Sequence, residues 1–110
     1  MKKLLILAAT IVPLVVVHSI QAADAATNWT KHCASCHGKD GKGETKAGRM
    51  AGVKDQTDAK YQAGLKDDAM FAAIKDGLKD GGKEKMKPFK EKLTDDEIKA
   101  LVAHVQALKK

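Results

Sequence analysis

Large apolar side chains are scarce in this chain once its first 22 residues are set apart. Residues 23–110 hold five Leu, two Ile, three Val and two Phe, twelve in 88 positions. That share lies below the roughly 20% at which a chain tends towards disorder, and a domain of this size is already marginal in burying its own surface. Yet the helical periodicities below are clean, so something other than side chains must complete the core. The chain needs a large, flat, mostly apolar body inside one small domain.

The segment set apart reads differently. Met1-Lys2-Lys3 is a short basic start, Leu4 to Val17 is an almost unbroken apolar run, and small residues follow at Ala22 and Ala23. That order is the layout of a secretory signal peptide. The run has only fourteen residues, contains Pro13 and ends at His18, whereas a spanning helix needs about 20 apolar residues. We therefore expect residues 1–22 to be a cleaved signal, its end placed to within about three residues, and 23–110 to be one exported domain with no stable membrane insertion. Losing Lys2 and Lys3 leaves 18 basic and 14 acidic residues, a net charge of +4. Lysines and acidic residues alternate along most of the chain, Arg49 is the only arginine, and aromatics are few. A nucleic-acid binder would concentrate basic residues and stacking aromatics on one face, so that class is excluded.

No internal repeat or low-complexity linker divides residues 23–110. A first helix is predicted from about Ala25 into Cys33–His37, with Trp29 and Cys33 on one face. Gly38-Lys39-Asp40-Gly41-Lys42-Gly43 reads as turns. Glu44 to Lys66 resists assignment, its large apolar residues being Met50, Val53, Tyr61 and Leu65. From Asp67 to about Gly77 the pattern is helical again, with Phe71, Ile74 and Leu78 at helical spacing, Met70 beside them and acidic residues in the first turn. Asp80-Gly81-Gly82 breaks it. The last helix is the best marked: Thr94 as N-cap and Glu97 as its partner form a capping box, Leu93 and Ile98 a hydrophobic staple. Ile98, Leu101, Val102, Val105 and Leu108 make its buried stripe. The domain reads as all-α, with no strand predicted.

Cys33-Ala34-Ser35-Cys36-His37 carries the chemistry. C-x-x-C-H is the attachment pattern for a c-type haem. Two thiols must reach the vinyl groups on one side of the porphyrin, and the adjacent imidazole must reach the iron from the same segment. On a helical turn Cys33 and His37 are four apart and share a face. A disulfide between Cys33 and Cys36 would instead suggest a thioredoxin-like motif, but the βαβ pattern that goes with it is missing. A zinc site drawing on His32, Cys33, Cys36 and His37 would lack the separated second ligand pair of structural zinc modules.

His37 leaves one axial position of the iron to fill. Met50, Met70, Met86, His32 and His104 are the candidates. His32 shares a segment with His37 and cannot easily reach the opposite haem face. Met70 falls on an apolar stripe and reads as core filler, and His104 as a half-buried packing residue beside Leu101 and Val105. Met50, near the glycine-rich loop, stays open as a haem contact. Met86 stands in Lys85-Met86-Lys87-Pro88-Phe89, after a glycine pair and before a proline. A methionine in so polar a loop has little reason to be there without a target, and thioether sulfur is a soft ligand matched to haem iron. It is the preferred sixth ligand; the alternative is a loop methionine packing on the haem edge.

An N-terminal helix holding C-x-x-C-H, a late Met-x-Pro-Phe loop and an amphipathic last helix together resemble the class I c-type cytochromes, over nearly the whole span from Trp29 to Leu108. The likeness is strongest to short bacterial monohaem members with CHGKDGKG after the motif. It implies a compact cytochrome c fold of three to four helices around one haem c, attached at Cys33 and Cys36, with His37 and Met86 as axial ligands of the iron. It also implies that the first and last helices cross, bringing Ala25 and Trp29 near Leu101 and His104. Two departures stand out. Many relatives have an aromatic residue where His104 stands, and many have a proline after the motif whose carbonyl orients the proximal histidine. No proline lies between His37 and Met86, so another backbone group is expected to accept from His37.

The function expected is that of a monomeric periplasmic carrier of single electrons, not an enzyme, because two protein ligands leave the iron no open site. Lys83, Lys85, Lys87, Lys90 and Lys92 crowd around Met86 and would form a docking collar for redox partners with acidic surfaces; an ordinary solvated charge run is the plainer reading. The rival functions are a haem subunit of a larger oxidoreductase complex, and a haem peroxidase or ligand sensor with a displaceable sixth ligand.

Overall fold

A computed structural model describes Ile6, residues 8–14 and residues 24–110. Residues 8–14 form neither helix nor strand, and Ile11, Val12 and Leu14 are exposed. No helix among the described residues is long and apolar enough to cross a membrane. The expected cleavage positions, Ala22 and Ala23, lie outside the described residues.

The domain opens with a helix made of three pieces. Asp24 caps it by accepting a hydrogen bond from Ala26 N at 3.1 Å, and α1 (Ala25–Asn28) runs into a π-helical turn (Trp29–Cys33) and then α2 (Ala34–His37). The wider π turn keeps Trp29 and Cys33, four apart, on the same inward face, where both are buried. Such π turns are often found at functional sites. After the glycine turns come α3 (Lys46–Ala51), capped by Thr45, and α4 (Ala59–Ala63), capped by Asp58. The stretch that resisted assignment thus holds two short helices. Its anchors are polar: Gln62 is buried and donates to Gln56 O and to Val105 O, each at 2.6 Å.

Helix α5 (Asp67–Asp76) buries Met70 and Ile74 and ends at Gly77. The stripe predicted through Leu78 stops short, because Leu78 lies outside the helix and is 50% exposed. It begins the one strand pairing among the described residues, an antiparallel hairpin of β1 (Leu78–Asp80) and β2 (Lys83–Met86) with Leu78 opposite Met86. Gly81 and Gly82 both have positive φ, at 57° and 80°, the backbone that a tight two-residue hairpin turn of the primed type requires. The other regular elements among the described residues are helical, as expected.

The last helix, α6 (Asp95–Ala107), has its full capping box: Thr94 Oγ1 accepts from Glu97 N at 3.2 Å, and Glu97 Oε1 accepts from Thr94 N at 3.1 Å. The bond from Thr94 N, with another from Asn28 Nδ2 at 3.0 Å, holds the Glu97 carboxyl below its ordinary pKa. Ile98, Leu101, Val102 and Val105 face inward against Trp29, Cys33, Met70, Ile74, Phe89 and Leu93. The first helix crosses the last at this point, and Trp29 meets His104 with ring centroids 5.1 Å apart. Removing a large side chain here, such as Ile98 at 0% exposure, costs about 2–5 kcal/mol.

Candidate haem site

The Cys33–His37 segment is pinned at its C-terminal end. Helix ends leave carbonyls without intrahelical partners, and here three consecutive ones find donors. Thr45 Oγ1 donates to Cys36 O at 2.7 Å, Gly43 N to His37 O at 2.7 Å, and Trp29 Nε1 to Gly38 O at 3.0 Å. Thr45 Oγ1 also accepts from Gly48 N at 2.8 Å, which ties α3 to the back of the motif. Neither Trp29 Nε1 nor Thr45 drew attention as a site residue in the sequence, since a backbone pin leaves no spacing signature.

Within the motif the two cysteines are not bonded to each other; Cys33 is buried and Cys36 half-buried. Burial, with Cys36 as a lesser cause, pushes the Cys33 thiol up to about 11. Burial also lowers the pKa of His37, which favours a neutral imidazole with a lone pair to donate. The His37 ring lies against Trp29 at a centroid distance of 5.6 Å and an angle of 37°. Trp29 thus lies against both His37 and His104. The backbone acceptor expected for His37 is not found: among the described residues His37 Nδ1 is buried without a hydrogen-bond partner. The ring is held by packing.

The other candidates are dispersed. Met70 is in the core, Met50 is 78% exposed at the end of α3, and His32 packs edge-on against Phe89 at 5.6 Å. Met86 ends β2, half-buried and packed against the core cluster. Among the described residues no three His, Cys, Asp or Glu side chains gather to hold a metal ion by themselves, so the zinc reading has no geometry behind it.

These residues fit a covalently held haem. Two unpaired thiols stand three apart on one helix, beside an imidazole whose burial favours the neutral, ligating form. The soft thioether of Met86 sits on a different element against the same core.

The family model for cytochrome c oxidase, cbb3-type, subunit III matches residues 20–105. Comparison with curated proteins gives no match. Among solved structures the chain is similar to the KustC0563 c-type cytochrome, with a TM-score of 0.72 and 40% identity over 79% of this chain and 99% of that one. A mutant of the same cytochrome gives a TM-score of 0.69 and 40% identity over 78% and 99% of the two chains. Haem-based electron transfer is the activity that goes with such a likeness, and covalently bound haem c with its iron is the cofactor. The chain belongs to the c-type cytochrome family that the cbb3-type subunit III model describes.

Proposed function

We propose that this protein is an exported carrier of single electrons whose haem is attached through Cys33 and Cys36 and ligated by His37 and Met86. When bound, the haem supplies an iron that cycles between Fe(II) and Fe(III). The observation that carries the reading is that the chain presents both ligands on anchored backbone: His37 on a pinned helix end, and Met86, itself packed against the core, at the end of a strand paired with β1. Two protein ligands would leave the iron no open site for a substrate, which argues for transfer and against catalysis. A thioether opposite an imidazole also raises the reduction potential.

Export rests on the basic start and short apolar run of residues 1–22. Intact mass of the exported protein should show the loss of about 22 residues and the gain of one haem; an intact Met1 on membrane-bound holoprotein would replace this reading with a retained anchor. Docking rests on Lys83, Lys87, Lys90 and Lys92, which are exposed, and on half-buried Lys85, all within six residues of Met86. They suit an acidic partner and would steer its approach.

A second reading, a haem subunit of a larger oxidoreductase complex, is favoured by the matching family model, which describes an oxidase subunit. The absorbance spectrum tests the ligand set in either case. A methionine–iron charge-transfer band in the oxidised protein supports closed, two-ligand transfer chemistry, and a high-spin spectrum would support an open site instead.

A further inference from the structure

The strand that carries Met86 has little of its own to hold it, since Lys83 and Glu84 are exposed and Lys85 and Met86 only half-buried. Its place is set by the end of α5. Gly77, the C-cap, has φ 76° and ψ −179°, a region open in practice only to glycine. A Cβ at Gly77 would stand 2.5 Å from Met86 O, 2.9 Å from Pro88 N and 3.1 Å from Lys87 C. All three are backbone atoms, so none could swing aside. Backbone therefore lies directly on backbone where α5 meets the Met86–Pro88 segment. The contact is secured on both sides. Leu78 pairs with Met86 across the hairpin, while Phe89 N donates to Ile74 O at 3.0 Å and Lys90 N to Lys75 O at 3.2 Å. Ile74 is itself part of the buried core, so the chain of contacts runs from the core through α5 to Met86.

We propose that Gly77 is the positioning residue for Met86: its lack of a side chain lets the end of α5 clamp the Met86–Pro88 backbone and so fixes the reach of the thioether to the iron. This inference rests on Met86 being the axial ligand. It gives Gly77 a role in the strength of the iron–sulfur bond beyond ending a helix.

The test compares Gly77→Ala with Gly81→Ala and Met86→Ala in the haem-loaded protein. Gly81 also has positive φ, at 57°, but no atom lies within 4 Å of the place its Cβ would take. Gly77→Ala is expected to lose most of the methionine–iron band, to lower the reduction potential and to bind added imidazole about tenfold more tightly, as strain of this kind implies. Gly81→Ala should match the wild type in all three. If Gly77→Ala matches Gly81→Ala in band, potential and imidazole affinity, the proposal is overturned. Met86→Ala separates the two layers of the argument: loss of the band there, with an unchanged Gly77→Ala, overturns the proposal alone, whereas a retained band in Met86→Ala overturns the ligand reading beneath it. Should Gly77→Ala not accumulate as holoprotein, Lys90→Pro removes one anchoring N–H from an exposed position. A partial shift of band and potential in the same direction supports the proposal, and no shift overturns it.

Discussion

Around Cys33–His37 side chains supply most of the hold, beside one backbone bond from Gly43 N to His37 O, whereas around Met86 the hold is backbone. On the first side the Trp29 indole packs on His37 and reaches Gly38 O, while the Thr45 hydroxyl takes Cys36 O. On the second, β1 pairs with β2, Gly77 lies on the Met86–Pro88 backbone, and Phe89 and Lys90 bond to the carbonyls of Ile74 and Lys75. Side-chain anchoring makes the histidine end part of the core, so damage there should be felt as lost stability. Backbone anchoring leaves the methionine end at the surface of the core, so damage there should be felt first in the iron–sulfur bond. The two ends of the site are predicted to fail differently.

The largest effect should come from removing the attachment chemistry itself. Cys33→Ala combined with Cys36→Ala is expected to leave mostly unfolded apoprotein, because twelve Leu, Ile, Val and Phe residues in positions 23–110 give a small domain too little to bury. Circular dichroism and thermal melting check this; a cooperative, well-folded apo-domain would contradict it. Next comes the indole. Trp29→Phe keeps a ring against His37 but loses the donor to Gly38 O, a change of about 0.5–1.5 kcal/mol. In a domain this small each kcal/mol moves Tm by about 4–8 °C. The methionine–iron band should remain, because the hairpin is untouched; a lost band with unchanged Tm would reverse the assignment of roles to the two ends. The smallest effect on the fold should follow charge reversal at Lys85 and Lys87, which is expected to leave the spectrum nearly intact and to slow reaction with an acidic partner. The slowing should shrink as salt rises, because the Debye length falls from about 10 Å at 0.1 M to about 3 Å at 1 M. Stopped-flow rates at several ionic strengths check it, and the absence of any salt-dependent change would reduce the lysines to solvated surface.

The same contrast explains what could be read from the sequence. Helix α6 was legible because Thr94, Glu97, Leu93 and Ile98 each leave a mark at fixed spacing, and the C-x-x-C-H segment because its chemistry dictates its residues. The hairpin was not. Gly81-Gly82 signalled a turn, but Leu78-Lys79-Asp80 and Lys83-Glu84-Lys85-Met86 carry no apolar alternation, and Leu78 continues the helical spacing of Phe71 and Ile74. Gly77 decides the matter by ending the helix one residue earlier. The stretch from Glu44 to Lys66 hid its helices for a related reason, being tied in by the buried amide of Gln62. Asp58 caps α4 by accepting from Lys60 N at 2.8 Å and Tyr61 N at 3.2 Å. Among the motif's surroundings, the backbone acceptor expected for His37 is not found among the described residues, and packing on Trp29 holds the ring instead.

The central claim is that His37 and Met86 close the iron from two differently built ends, and the oxidised-state absorbance spectrum of Met86→Ala beside those of Met50→Ala and Met70→Ala tests it most directly. Met86→Ala should lose the methionine–iron band, open the iron to added ligands and lower the reduction potential, while the other two variants keep the band. A band retained in Met86→Ala, and lost in Met50→Ala instead, would contradict the account.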